Sequence, residues 1–230
     1  VSAYSDKVIA DGATNYWRLN ETSGTSAVDV VGAKNGTISG GVTLNQAGAL
    51  TDGDKAMTFD GTGQIALPSI TTPVGCSVEA WVKSATGSGD DMIWTNRNSG
   101  ASTNTYLQLA SGQPQFGNNS NVVAWSATRI DDGQWHHLVG VSTGTQLDLF
   151  VDGVLRSVPN AFASPAKTGT GYIGRDDFAG FATATIDEVA LYPTVLSPAT
   201  IAAHYTLGTT VASGSRPPSF GYWKKVWSAA

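Results

Sequence analysis

Turn signals recur along this chain roughly every 8–12 residues, which leaves room for short strands and little else. The segments "KAMTFDG", "GQIALP", "CSVEAWVKS", "DDMIWTN", "TYLQLAS" and "HHLVGVS" each alternate for a few residues and stop. Within "CSVEAWVKS", Val78, Ala80 and Val82 fall on one face, and Glu79 and Trp81 on the other. Bulky groups on both faces imply a sheet covered on both sides, or one whose second face carries a groove. Charged residues make up only 13% of the 230, and 27 are glycine, so little of the chain reads as charged surface helix.

Two local structures are legible in detail. In "QLDLFVDGVLRSV" two strand-like runs flank Asp152-Gly153, a dipeptide suited to a type I′ hairpin turn. Leu147, Leu149 and Val151 should then face a core, with Asp148 outward. In "VLSPATIAAHY" Ser197 is placed to cap a helix and Pro198 to open it, while Leu196 and Ile201 fit a hydrophobic staple. Ile201 and Tyr205 should share its buried face, with His204 on the surface or half buried. The composition shifts after Gly208: "TTVASGSRPPS" reads as a linker and "FGYWKKVW" as an aromatic, basic tail. The expected organisation is one domain over residues 1–208, followed by a linker and tail over 209–230.

The net charge is −5, with no basic run, which argues against nucleic acid or an anionic membrane as partner. No signal peptide or membrane-spanning run is visible, and an opening at Val1 fits a processed or excised chain. Cys76 is the one cysteine, so an intrachain disulfide is excluded, and a small buried residue is expected there.

Several motifs follow one another in order: "NYWRLNETSGTSAVDVVGAKNGTISGG", "MTFDGTGQIALP", "SVEAWVKS", "DDGQWHHLVGV", "LDLFVDGVL" and "ATIDEVALYPTVLSPATIAAHY". In this order they resemble the laminin-G-like, concanavalin A-like jelly rolls of the bacterial, pentraxin-related type. The resemblance implies an all-β fold: two antiparallel sheets packed face to face, one concave, with one short C-terminal helix. Such a fold hosts binding domains, enzymes and adhesins alike. In "DGQWHH", Asp132-Gly133 supplies a turn, Trp135 anchors a strand, and the adjacent His136 and His137 point to opposite faces. The expectation for the pair is a structural role, with hydrogen bonds to neighbouring backbone or hydroxyl groups.

Calcium needs six to eight oxygens, drawn from carboxylates and carbonyls. Asp29, Asp60 and Asp187 are the candidates. Asp187 stands in an apolar strand, where Val189 and Leu191 should share its face, and a buried lone carboxylate there is costly without a cation or several donors. The resemblance implies a structural calcium at the sheet rim, matching Asp29 and Asp187, with carbonyls from Gly32 and Lys34 and a nearby loop at Asp60. The alternative is that turn amides satisfy these carboxylates, and Asp52 and Asp54 read as turn residues. No E-x-D-x-E run of a glucan-cleaving sandwich is present, and Asp187 and Glu188, being adjacent, should point to opposite faces. The chain also lacks spaced zinc ligands, a nucleophile elbow and a phosphate loop.

Sugars are held by aromatic faces and planar polar groups. Residues 90–129 are rich in both, and Trp94, Asn96, Arg97, Tyr106 and Trp125, with Arg175 from "GRDDFAGF", are the expected ligand contacts. Asn98, Asn118, Asn119 and Phe178 lie in the same stretches. The reading is a non-catalytic, calcium-stabilised, extracellular binding module for a glycan or cell-surface ligand. Other domains of its own protein are a further expected contact, and neither nucleic acid nor membrane insertion is expected. Its rivals are an adhesive spacer of a surface or phage tail protein and, further off, a glycoside hydrolase.

Overall fold

The computed structural model describes residues 2–85, 89–97, 104–118, 123–157, 160–161, 166–176 and 180–210. These residues form two antiparallel sheets and two helices. The first sheet runs in the order Val154–Leu155, Gln146–Val151, His136–Ser142, Cys76–Lys83, Thr185–Tyr192, Lys55–Phe59, Val42–Ala47. The second runs Val123–Trp125, Gln113–Asn118, Asn104–Ala110, Asp90–Arg97, Lys167–Ile173, Gln64–Thr72, Gly36–Ser39, Ser26–Ala27. This is the expected jelly-roll sandwich.

The main core lies between the sheets. Val78, Ala80 and Val82 enter it from the first sheet, and Trp94, Leu107, Leu109 and Phe116 from the second. Gly140 is small because Phe116 lies over it: an added Cβ would sit 2.1 Å from the ring. Asp152 and Gly153 both have positive φ, +53° and +75°, so the hairpin turns as its dipeptide requires. Leu147, Leu149 and Val151 face the core.

The outer face of the first sheet is also buried. Helix α1 (Ala3–Ala10) and helix α2 (Pro198–Thr209) lie on it. Tyr4 and Val8 from α1 and Ile201 from α2 pack with Trp81, Val139 and Tyr192 in a second core. Each large apolar side chain buried there contributes roughly 1.5–3 kcal/mol. Ser197 caps α2 through the Thr200 amide (3.1 Å), as its sequence implies. Helix α1 is an addition to the single helix expected; a capping box of Ser2 and Ser5 opens it. Its eight residues are too few for a clear helical period. No helix among the described residues is long and apolar enough to cross a membrane. Of the expected linker, Thr209 ends α2 and Thr210 caps it; residues 211–230, the aromatic tail among them, lie outside the described residues.

Candidate functional site

With one sheet covered by helices, the outer face of the other is the surface without a described helix upon it. Strand alternation decides what stands there. Leu107, Phe116 and Ala124 point inward, so Tyr106, Gln108, Gln115 and Trp125 point outward. Register sets Trp125 opposite Gln115 and Gln115 opposite Gln108. Gln108 Nε2 donates to Gln115 Oε1 at 2.9 Å. Trp125 is 51% exposed. Tyr106 lies across Gly117, where a Cβ would come within 2.0 Å of the phenol ring.

This face runs into a cleft of about 460 Å³ lined by Asp90, Asp91, Met92, Gln108, Asp176 and Phe181, with glycines at 61, 89 and 180. Both oxygens of Asp91 are engaged: Oδ1 accepts from the Thr183 amide (2.7 Å) and Oδ2 from the Ser84 hydroxyl (2.9 Å). Beside the cleft, the Arg175 guanidinium donates to Gln64 and stacks over Tyr172 and Phe181, at 5.5 and 5.2 Å from the ring centres. Burial pushes the Tyr106 phenol up to about 12, and the charges of Asp90 and Asp176 add to the rise.

The expected ligand contacts therefore divide. Arg97, Tyr106 and Trp125 stand on the outward face, and Arg175 sits at the cleft. Trp94 and Asn96 do not: both are fully buried. A bulge between Met92 and Trp94 turns Ile93 and Trp94 both into the core. Asn96 then faces inward, its Nδ2 donating to the Ile70 carbonyl at 3.2 Å. A ring sealed in the core cannot stack on a sugar. Asn98, Asn119 and Phe178 lie outside the described residues, as does the side chain of Asn118.

The carboxylates are also distributed differently from the sequence reading. Asp29 is saturated by donors: Oδ1 accepts from the amides of Tyr16, Val31 and Gly32, and Oδ2 from the Lys34 amide and Asn15 Nδ2, all at 2.7–3.1 Å. Gly32 and Lys34 thus present N–H groups to it, and the Lys34 carbonyl accepts from the Trp17 indole (2.9 Å). The loop is knitted by its own amides, which leaves no reason for a cation at Asp29. Asp60 turns an exposed loop, accepting from the Thr62 amide and hydroxyl.

Asp187 instead meets Asp54 and Glu188. Among the described residues these three form a buried group with one ligand atom from each within 4.8 Å of the others. A second bulge, between Asp187 and Ala190, makes this possible. Glu188 takes φ +52° there. The bulge puts Val189 and Leu191 in the main core, while Asp187 pairs with the outward Trp81. The expected separation of Asp187 and Glu188 onto opposite faces therefore fails.

Arg18 bonds Asp54 (3.0 Å) and Glu188 (2.8 Å), and the Tyr16 hydroxyl donates to Glu188. Asp187 Oδ2 accepts from the Ala49 amide (2.8 Å), but Asp187 Oδ1 and Asp54 Oδ2 are buried with no partner. Burial raises the Asp187 and Glu188 carboxyls well above the usual range, and the Asp54 charge pushes Asp187 further. One arginine faces three carboxylates, so a divalent cation at the two orphan oxygens would balance the group. Asp54 and Glu188 were the members sequence reasoning missed; the available signal was the glycine turn beside Asp54 and, for Glu188, its place next to Asp187 in an apolar strand.

His137 and His204 belong to a separate buried network. His137 Nε2 donates to Glu79 at 2.6 Å, and the hydroxyls of Tyr4 (2.9 Å) and Tyr192 (2.6 Å) join it. His204 is buried, not on the surface: Nδ1 lies 3.0 Å from Glu79, and Nε2 lies 2.8 Å from Asp11. His136 bonds Asp152 (2.8 Å) and Asp132 (3.2 Å). The side-chain partners of the pair are carboxylates, where backbone or hydroxyl groups were expected.

The family model for the concanavalin A-like lectin/glucanases superfamily, Laminin_G_3, matches residues 59–202. The chain belongs to this superfamily. No curated protein sequence matches it. Among solved structures it is similar to domain 4 of AbnA, an extracellular GH43 arabinanase from Geobacillus stearothermophilus, solved with arabinotriose. The TM-score is 0.69 at 18% identity, over 84% of this chain and 98% of that one. It is also similar to the botulinum neurotoxin serotype D binding domain, with a TM-score of 0.62 at 13% identity, over 85% of this chain and 51% of the other. A third similar structure is the Trypanosoma rangeli sialidase in complex with a difluoro-KDN ligand. Its TM-score is 0.63 at 14% identity, over 86% of this chain and 34% of that enzyme. The fold shared here occurs in a toxin binding domain and within two enzymes named as an arabinanase and a sialidase.

Proposed function

We propose that the chain is a non-catalytic glycan-binding module that works outside the cell, with one structural calcium ion. The observation that carries this reading is the cleft at the end of the helix-free sheet, where carboxylates, the Gln108 amide and the Phe181 ring converge. Carboxylates accept sugar hydroxyls, and a ring offers a face for the C–H side of a pyranose. Binding without cleavage is supported by Asp91, whose two oxygens are already occupied and so poorly placed to attack or to move a proton. The arabinotriose held by the AbnA domain supports a sugar as the ligand class. Calcium would take one free oxygen each from Asp54 and Asp187, supplying charge balance rather than chemistry.

A glycan array followed by calorimetric titration tests the reading. Gly180 has an ordinary backbone conformation, and an added Cβ would meet atoms only at 3.7–3.9 Å. Gly180→Trp should therefore plug the cleft without unfolding the protein. Saturable binding that disappears in this variant at unchanged melting temperature supports the proposal. A flat array with self-association would favour the spacer, and polysaccharide turnover would favour a hydrolase.

A further inference from the structure

A row of side chains crosses the outer face of the helix-free sheet and ends in the cleft. Strand register places Trp125 opposite Gln115, Gln115 opposite Gln108, and Gln108 opposite Met92. Gln108 and Met92 also line the cleft. Three strand spacings, about 14 Å, separate the two ends of the row. At its outer end stands an indole held ready: Trp125 is 51% exposed, while Ala124 and Ser126 on either side are buried. The Ser126 amide donates to the Pro114 carbonyl (3.0 Å), and Gln113 Nε2 donates to the Ala127 carbonyl (3.2 Å). The ring is therefore presented from a fixed backbone, which a ligand need not order. Tyr106 is not a second platform, because it is buried with its ring over Gly117.

Between Trp125 and the cleft, the bond from Gln108 to Gln115 uses one N–H and one lone pair. It leaves the Gln115 amide nitrogen, the second N–H of Gln108 and the Gln108 carbonyl oxygen for a ligand. Donors and acceptors stand side by side there, the complement of vicinal hydroxyls, each of which both donates and accepts. Trp125, Gln115, Gln108 and Met92 carry no charge, so the row favours a neutral ligand. Resting on the glycan-binding reading above, we infer that the ligand is a chain rather than a single sugar: a neutral, β-linked pyranose oligomer with equatorial hydroxyls, laid across the strands from the cleft to Trp125. Equatorial hydroxyls leave the C–H face of each ring flat enough for an indole to cover. A β-linked chain stays extended, so one molecule reaches both ends of the row.

Calorimetric titration with cellobiose, cellotriose, cellotetraose and cellohexaose, beside maltotetraose as the curved α-linked control, decides the matter. Affinity should climb until the chain reaches Trp125 and then level off. Covering roughly 60 Å² of the exposed indole is worth about tenfold. Trp125→Ala should remove that gain from cellotetraose, leave cellobiose seated in the cleft unchanged, and keep the melting temperature; Trp125→Phe should recover part of the gain. Equal affinity at every length, equal binding of maltotetraose, or wild-type affinity of Trp125→Ala for cellotetraose overturns the chain inference. If Gly180→Trp still abolishes binding in those cases, the cleft reading stands without it. A glycan array whose binders include no β-linked pyranose chain also overturns the inference alone. An array with no binder at all defeats both readings together.

Discussion

Replacing Glu79 with Gln should be among the most damaging isosteric changes this protein can suffer. Glu79 is fully buried and accepts from Tyr4, Tyr192, His137 and His204. Both ring nitrogens of His204 lie against carboxylates, Nδ1 on Glu79 and Nε2 on Asp11, so both must donate and the ring is an imidazolium. Burial pushes the Glu79 carboxyl up, but the hydrogen bonds and charges of His137 and His204 outweigh it and hold it well below the usual range. Glu79→Gln leaves the imidazolium buried without its main counter-charge, which costs about 3–5 kcal/mol. In a domain of this size each kcal/mol shifts Tm by roughly 2–4 °C, so the drop should be about 6–20 °C. Thermal melts followed by tryptophan fluorescence read it directly. Burial depresses the His204 pKa, but Glu79 and Asp11 outweigh it and raise it above its ordinary value. Its contribution is therefore complete below an unfolded pKa of about 6.5 and is lost as pH rises through the folded pKa. The wild-type Tm should fall over that alkaline window, and the fall should flatten in Glu79→Gln. A Tm change under about 3 °C, with an unaltered pH profile, would mean the helices do not depend on this charge pair.

Three further outcomes are expected. A ligand a hundredfold above its Kd adds about 2.7 kcal/mol, so a chelator should lower Tm by about 5–11 °C; Asp187→Asn should erase the difference, and coincident melts with no metal by elemental analysis would instead assign a shared proton to Asp54 and Asp187. Gly208 lies against Trp81, where an added Cβ would come within 2.3 Å of the ring; Gly208→Ala should cost about 1–3 kcal/mol by overpacking, seen as a lower urea midpoint at unchanged slope. Gly153→Ala forces a side chain into φ +75° and should cost about 1–2 kcal/mol, and a neutral result in the same urea assay would contradict the hairpin geometry.

Local chemistry was sufficient for part of this protein. The Asp152-Gly153 turn, the Ser197 cap and the inward Val78, Ala80 and Val82 depend on neighbours within a few residues, and each is readable from its own segment. So was the ordered set of motifs that announced the sandwich. The bulges were not readable, because one extra residue reverses which face a strand presents, and nothing in "DDMIWTN" or "ATIDEV" marks where it falls. That single unit of register took Trp94 into the core and put Asp187 and Glu188 in one cluster. Long-range pairing decided the rest: His204 meets Glu79 across 125 residues, and the loop before Lys55 carries Asp54 onto Asp187. A side chain's neighbours along the chain set its local shape, but burial and charge depend on what folds over it, and only the assembled sheets and helices supply that.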